Sequence, residues 1–152
     1  MPNVAVIMGS RSDDEVMQGC TKTLEEIGVS YEVRVISAHR APDRLREYVR
    51  SARDRGVQVV IAAAGGAAHL PGVVASLTTL PVIGIPLPSS DLKGIDALYS
   101  IVQMPPGVPV AAVSVGAWGA RNAAYLAAQI IGLSDPTVRE AYDAFRAKLA
   151  EA

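Results

Sequence analysis

The chain holds two histidines, His39 and His69, and each sits among small or polar residues. His39 lies in "SAHRAP" (37–42), directly before Arg40, and His69 lies in "AAAGGAAHLPG" (62–72). A third stretch, "GSRSDD" (9–14), carries Ser10, Ser12 and Asp13. An imidazole titrates near neutrality and can both give and take a proton. A guanidinium forks two hydrogen bonds onto a phosphate. A glycine-serine turn that opens a helix offers free N–H groups and the positive end of a dipole to an anion. These residue types suit acid–base chemistry on a small phosphorylated ligand. Each also has a plainer reading. Ser and Asp cap helices. The arginines after Arg40 (Arg44, Arg46, Arg50, Arg53, Arg55) make a solvated helix face. His69 is a helix-start residue bonded to a nearby carbonyl.

The loop chemistry narrows the ligand. "GSRSDD" is too short for a Walker phosphate loop, lacks its Lys and is not G-x-G-x-x-G. It fits one phosphate monoester better than a dinucleotide. Asp13 would repel a phosphate, so it is placed on sugar hydroxyls as an acceptor. The Gly and Ala residues of 62–68 carry almost no side chain, which lets a flat ligand lie against backbone amides. No Cys, His or carboxylate cluster has metal-ligand spacing, so no metal is expected. No Ser-His-Asp order stands as a triad.

The elements that must position these loops alternate. "VAVIM" (4–8) and "VQVVIAAA" (57–64) are apolar runs expected of buried strands, and "PVIGIP" (81–86) and "VPVAAVSV" (108–115) read as the fourth and fifth strands. "YEVRVI" (31–36) alternates more and reads as an edge strand. Between them come a helix bearing Val16, Met17, Cys20, Leu24 and Ile27, opened by Asp13 or Asp14 and stopped at Gly28. A second runs from Pro42 with Leu45, Tyr48, Val49 and Ala52 on one side and ends at Gly56. Short helices follow at 70–78 and 94–103. The helix over 120–132 is apolar almost all round and is expected to be buried on most sides. The last, from Pro136, shows Val138, Ala141, Tyr142, Phe145 and Leu149 on one face. Five strand-helix alternations predict one domain over 1–152: an α/β/α sandwich on a five-stranded parallel sheet, flavodoxin-like or Rossmann-like, plus a C-terminal helix. The loops following strands one, two and three should meet at one sheet edge, where such folds bind ligands. The least regular, proline-rich stretch, 86–109, holds stiff loops of the kind that shape a site.

Composition sets the bounds. The 152 residues are 50% hydrophobic and 19% charged, with formal net charge −1. That charge draws in neither nucleic acid nor acidic membrane. The apolar richness points to burial between subunits. The single cysteine, Cys20, allows no internal disulfide and suits a reducing compartment. "MPNVAVIMGS" has no basic leader, and no stretch reaches the roughly 18 apolar residues of a membrane span. A cytoplasmic protein is expected.

Five ordered blocks carry a resemblance: "MGSRSD" (8–13), "SAHRAPD" (37–43), "AGGAAHLPG" (64–72), "DALYSIVQMPPGVPVA" (96–111) and "NAAYLAAQI" (122–130). Over nearly its whole length the chain resembles the class I N5-carboxyaminoimidazole ribonucleotide mutases of purine biosynthesis. The resemblance implies an isomerase that moves a carboxylate from N5 to ring carbon C4 to give 4-carboxyaminoimidazole ribonucleotide, with no metal or organic cofactor. It implies His39 as the general acid and base. It implies that Ser10, Ser12, Asp13 and Arg40 bind the phosphate and ribose end, with Ser37 a further substrate-binding residue. Gly65, Ala67, His69 and Leu70 would wrap the base and carboxylate. It implies a homo-octamer acting on a small-molecule substrate. The chain departs from the family pattern at Ala41, where many members have Thr, and at Ala97 and Tyr99.

Three rivals share the fold. A class II carboxylase of the same family would use free CO2 and aminoimidazole ribonucleotide; the "GGAAHLPG" block resembles the mutase side. A flavodoxin-like electron carrier would bind FMN, yet the loops hold no Trp or Tyr to sandwich a flavin, and aromatics are 5% of the chain. A phospho-receiver domain would need an Asp where strand three ends in Ala64-Gly65-Gly66.

Overall fold

In a computed structural model, which describes residues 1–152, five parallel strands form a single sheet in the order β2-β1-β3-β4-β5. The strands are β1 (Val4–Met8), β2 (Tyr31–Val35), β3 (Val59–Gly65), β4 (Val82–Leu87) and β5 (Ala111–Ala112). The helices are α1 (Asp14–Ile27), α2 (Pro42–Arg50), α3 (Leu70–Leu77), α4 (Ile95–Val102), α5 (Ala117–Gly132) and α6 (Pro136–Leu149). This order has the chain reversing direction across the sheet between β1 and β3, the position at which doubly wound sheets open a crevice. No helix is long and apolar enough to cross a membrane.

Alternation along the central strands builds the layers. Val4, Val6 and Met8 of β1 join Val59, Ile61 and Ala63 of β3 in a core with α1, α5 and α6. Ala5 and Ile7 join Val60, Ala62 and Ala64 in a second core with α2, α3 and α4. Because both faces are covered, these strands show no polar positions. The α1 stripe Met17, Cys20, Leu24 and Ile27 is buried, and Gly28 ends the helix in the left-handed region at φ 82°. Burial pushes the Cys20 thiol up to about 12, which leaves it an inert core residue.

Four local expectations change. The second helix does not run to Gly56. It stops at Arg50, and a separate 3-10 turn, Arg53–Arg55, ends at Gly56 with φ 90°. The fifth strand shrinks from eight residues to Ala111–Ala112 because it is an edge with one neighbour, pairing only Ile83 with Ala111 and Gly84 with Ala112. Pro109 has no N–H to give the ladder. The 120–132 helix starts earlier, at Ala117, and is two-sided: Ala120, Ala123, Ala124, Ala127 and Ala128 are buried while Trp118, Arg121, Asn122 and Gln129 are exposed. Of the arginine face, Arg55 is the exception. Its guanidinium meets the Glu32 carboxylate at 2.8 Å, and Tyr48 donates its hydroxyl to the same oxygen at 2.6 Å. Burial pushes Glu32 up, but the Tyr48 and Arg55 hydrogen bonds outweigh it and hold the carboxyl below its usual range. The cluster ties edge strand β2 to the end of α2.

The start of α2 is less well tied. Pro42 takes the first helical position, but Ala41 stands at the N-cap with no side chain to accept a backbone N–H. A cap hydroxyl contributes about 1 kcal/mol. Ala41→Ser should therefore raise the melting temperature by about 2–4 °C, the shift expected of a domain this size. Differential scanning calorimetry of the two proteins checks it; an unchanged or lowered midpoint would show that the 37–42 turn does not need the cap.

Candidate active site

The strand ends are level. Met8 pairs with Val35 on one side and Ala63 on the other. The ladder continues one step, with Ile36 N–H donating to the Met8 carbonyl at 3.0 Å and Gly9 N–H to the Ala63 carbonyl at 3.3 Å. Three loops thus leave the sheet at one height. Together they enclose a cavity of about 270 Å³ lined by Ser10, Ser12, Asp13, Ser37, His39, Arg40, Gly65, Ala67, His69 and Leu70, along with Gly9, Ala38, Ala64 and Ser89. Every site residue expected from the sequence is on this wall. A larger depression of about 900 Å³ lies at the amino ends of β4 and β5, lined by Thr79, Leu80, Pro81 and Val108 among others. It holds no histidine, and sheets of this kind place their ligands at the carboxyl ends.

Each loop has a local cause. After β1, the Ser10 side chain accepts from the Ser12 N–H at 3.3 Å, and the two hydroxyls lie 2.9 Å apart. That bond caps a 3-10 turn, Arg11–Asp13, which leads into the fourteen residues of α1. Asp13 precedes α1 without capping it through its side chain. It faces the cavity instead, and burial pushes its carboxyl above the usual range, an effect only partly offset by a hydrogen bond with the Ser10 backbone. After β2, the Arg40 N–H donates to the Ser37 hydroxyl at 3.2 Å and the Ala41 N–H to the Ser37 carbonyl at 2.9 Å. This tight turn presents His39 and Arg40, both exposed. After β3, His69 stands at the N-cap of α3.

The two histidines meet. His39 Nε2 and His69 Nδ1 are 2.6 Å apart, with the rings at 85° and their centroids 4.8 Å apart. One nitrogen must donate and the other accept, so the pair holds a proton between two bases. His69 begins a helix as expected, but its side chain bonds an imidazole rather than a carbonyl. Sequence reasoning missed Ser89, on the loop after β4. The signal was the proline-rich stretch around it; nothing local distinguished Ser89 from Ser90.

The sequence profile of the AIR carboxylase family matches residues 3–152. The chain belongs to the AIR carboxylase family. It is 56% identical over 146 residues to an N5-carboxyaminoimidazole ribonucleotide mutase of Pyrococcus abyssi, covering 96% of this chain and 83% of that one. It is 57% identical over 150 residues to the mutase of Mycobacterium leprae, covering 99% and 86%. Among solved structures it resembles Treponema denticola PurE, with TM-score 0.89, 29% identity, and 99% and 93% of the two chains covered. Within this family the fold described above is therefore shared by a solved relative.

Asp13 has a testable cost. Its folded pKa is raised, so its contribution to stability is present below the ordinary carboxylate value of 3.8 and lost as pH rises through the folded value. At pH 7 the charge opposes folding. Asp13→Asn should melt higher than the parent at pH 7, and the gain should vanish below about pH 3.8. Paired melting curves across that range check it; a lower midpoint at pH 7 would mean that the carboxylate is stabilised where it stands.

Proposed function

We propose that the chain is an N5-carboxyaminoimidazole ribonucleotide mutase. It is an isomerase of purine biosynthesis that makes 4-carboxyaminoimidazole ribonucleotide without a metal or organic cofactor. The observation that carries the reading is the placement of His39. Its Nε2 is held by His69 at 2.6 Å, over a cavity that also presents Ser10, Ser12 and Arg40. Identity of 54% to 59% to relatives bearing that name supports it.

The roles follow from position. Ser10, Ser12 and the turn before α1 receive the 5′-phosphate, with Arg40 as its counter-ion. Ser37 fixes the turn that carries Arg40. Asp13 accepts from ribose hydroxyls, which return some of the hydrogen bonding its carboxyl lacks. Gly65 and Ala67 give the base a wall nearly free of side chains, and Leu70 adds an apolar one. The carbamate C–N bond then breaks, its electron pair passes to nitrogen, and His39 protonates that nitrogen as CO2 departs. Ring carbon C4 attacks the retained CO2. The C4 proton returns to His39 and the ring recovers its aromaticity. His39 begins and ends the cycle in one protonation state, so no second acid is needed. His69, bonded to one imidazole nitrogen, fixes the ring's tautomer and orientation.

The second reading is a carboxylase that takes free CO2, favoured by the family's own name. Supplying N5-carboxyaminoimidazole ribonucleotide, labelled in the carboxyl group, without ATP separates the two. Label retained at C4 in the presence of unlabelled bicarbonate supports the mutase; label lost to the bicarbonate pool supports the carboxylase. His39→Asn should lower kcat by about 10²–10⁴-fold, the range for loss of a general acid–base. Arg40→Ala should act mainly on KM, by roughly tenfold or more for one charged contact. Near-normal turnover by His39→Asn would remove His39 from the mechanism.

The proposal extends to assembly and place: a homo-octamer in the cytoplasm. Trp118, Tyr99, Leu92 and Ile95 are 78%, 68%, 62% and 56% exposed. Large apolar side chains left this exposed support burial against another copy. Light scattering should give eight times the 15.9 kDa chain mass; a monomer mass would refute the assembly.

A further inference from the structure

Four serine hydroxyls line the cavity. Ser10 and Ser12 bond each other, and Ser37 accepts from the Arg40 N–H. The Ser89 hydroxyl is left without a protein partner. Its side chain, exposed to solvent, lies over the end of β3. A Cβ on Gly65 would lie 1.7 Å from the Ser89 Oγ, so the serine side chain occupies the space that only glycine leaves at the end of β3. The next residue, Ser90, donates its hydroxyl to Asp96 Oδ2 at 2.5 Å and accepts the Leu92 N–H at 3.2 Å. The other Asp96 oxygen takes the Ala97 N–H at 2.9 Å. These bonds pin the loop after β4 to the first turn of α4. The Ser90 hydrogen bond also holds the Asp96 carboxyl below its usual range.

Strand order says which end of the ligand Ser89 meets. Arg40 follows β2, and Ser89 follows β4, three strands away in the order β2-β1-β3-β4. At about 4.8 Å per strand that is roughly 14 Å. A phosphate held by Ser10, Ser12 and Arg40 therefore leaves Ser89 to the far end of the nucleotide. His39 reaches the same end, since its ring meets His69 on the loop after β3. We propose that Ser89 donates a hydrogen bond to the carboxylate the reaction moves, with Ser90 and Asp96 as positioning residues for it. This rests on the functional reading above. A neutral hydroxyl suits such a contact, because it binds the carboxylate without the strong charge pairing that would hold it back from leaving as neutral CO2.

Calorimetric titration with two nucleotides tests the assignment. 4-Carboxyaminoimidazole ribonucleotide has the carboxylate and aminoimidazole ribonucleotide lacks it. Ser89→Ala keeps the Cβ that packs on Gly65. It should weaken binding of the carboxylated nucleotide about tenfold or more, the effect of losing a hydrogen bond to a charged group, and leave the other unchanged. Ser90→Ala should weaken only the carboxylated nucleotide, and should add nothing in the Ser89→Ala background. Equal binding of both nucleotides by parent and Ser89→Ala overturns the inference, and so does equal weakening of both. An additive loss in the double variant overturns the positioning role of Ser90. A parent protein that binds neither nucleotide sinks the functional reading and this inference together, whereas a parent that binds both leaves the first standing whatever Ser89→Ala does.

Discussion

Lateral pairing between parallel strands is the constraint on which the site depends. Met8 stands beside Val35 and Ala63, and backbone bonds extend that match to Ile36 and Gly9. A shift of one residue in either ladder would turn the apolar set of that strand to the other face and move its loop by about 3.3 Å. The two cores forbid this, since Val4, Val6 and Met8 belong to one and Ala5 and Ile7 to the other. The geometry that brings His39 within 2.6 Å of His69 is thus enforced by packing far beneath it. The histidines inherit their positions from valines and alanines.

Small residues then decide what the level loops can hold. At the β3 end, Ala64, Gly65 and Ala67 leave the backbone bare, and the neighbouring loop fills part of that space with Ser89. At the β1 end, hydroxyls and a helix start face the same cavity. The result is a graded wall, cationic and donor-rich toward Arg40 and nearly featureless toward β4. A phosphorylated ligand with a flat base can lie on it in only one sense, because reversing it would set the phosphate against a surface with one hydroxyl and no cation.

Periodicity made the frame legible. Continuous apolar runs marked the buried strands, and Gly28, Pro42 and Gly56 marked stops and starts, because each of these signals is local. The ten candidate site residues came from a different source: ordered blocks resembling a family pointed to them, and the sheet gathers them around one cavity. What stayed hidden was non-local. Glu32 meets Arg55 and Tyr48 across distant positions, and Arg55 looked like one more solvated arginine. His69 bonds a ring thirty residues away, not a carbonyl beside it. Ser89 differs from Ser90 only in which wall it meets. The fifth strand failed for an edge reason: "VPVAAVSV" has strand composition, but one partner and a proline leave only Ala111 and Ala112 in the ladder.

The exposure of His39, Arg40 and His69 is part of the same physics. Burying the Arg40 guanidinium before its anion arrives would be costly, since the lost hydration has no replacement. On the proposed function, an open rim lets Arg40 stay solvated until the substrate phosphate supplies its partner. Retaining CO2 between bond breaking and bond making makes the opposite demand, a site that closes on the ligand. The floor is already apolar: Ala64 and Leu70, which line it, are buried. Only the rim must change, and the ligand covers part of it by lying across the imidazole pair.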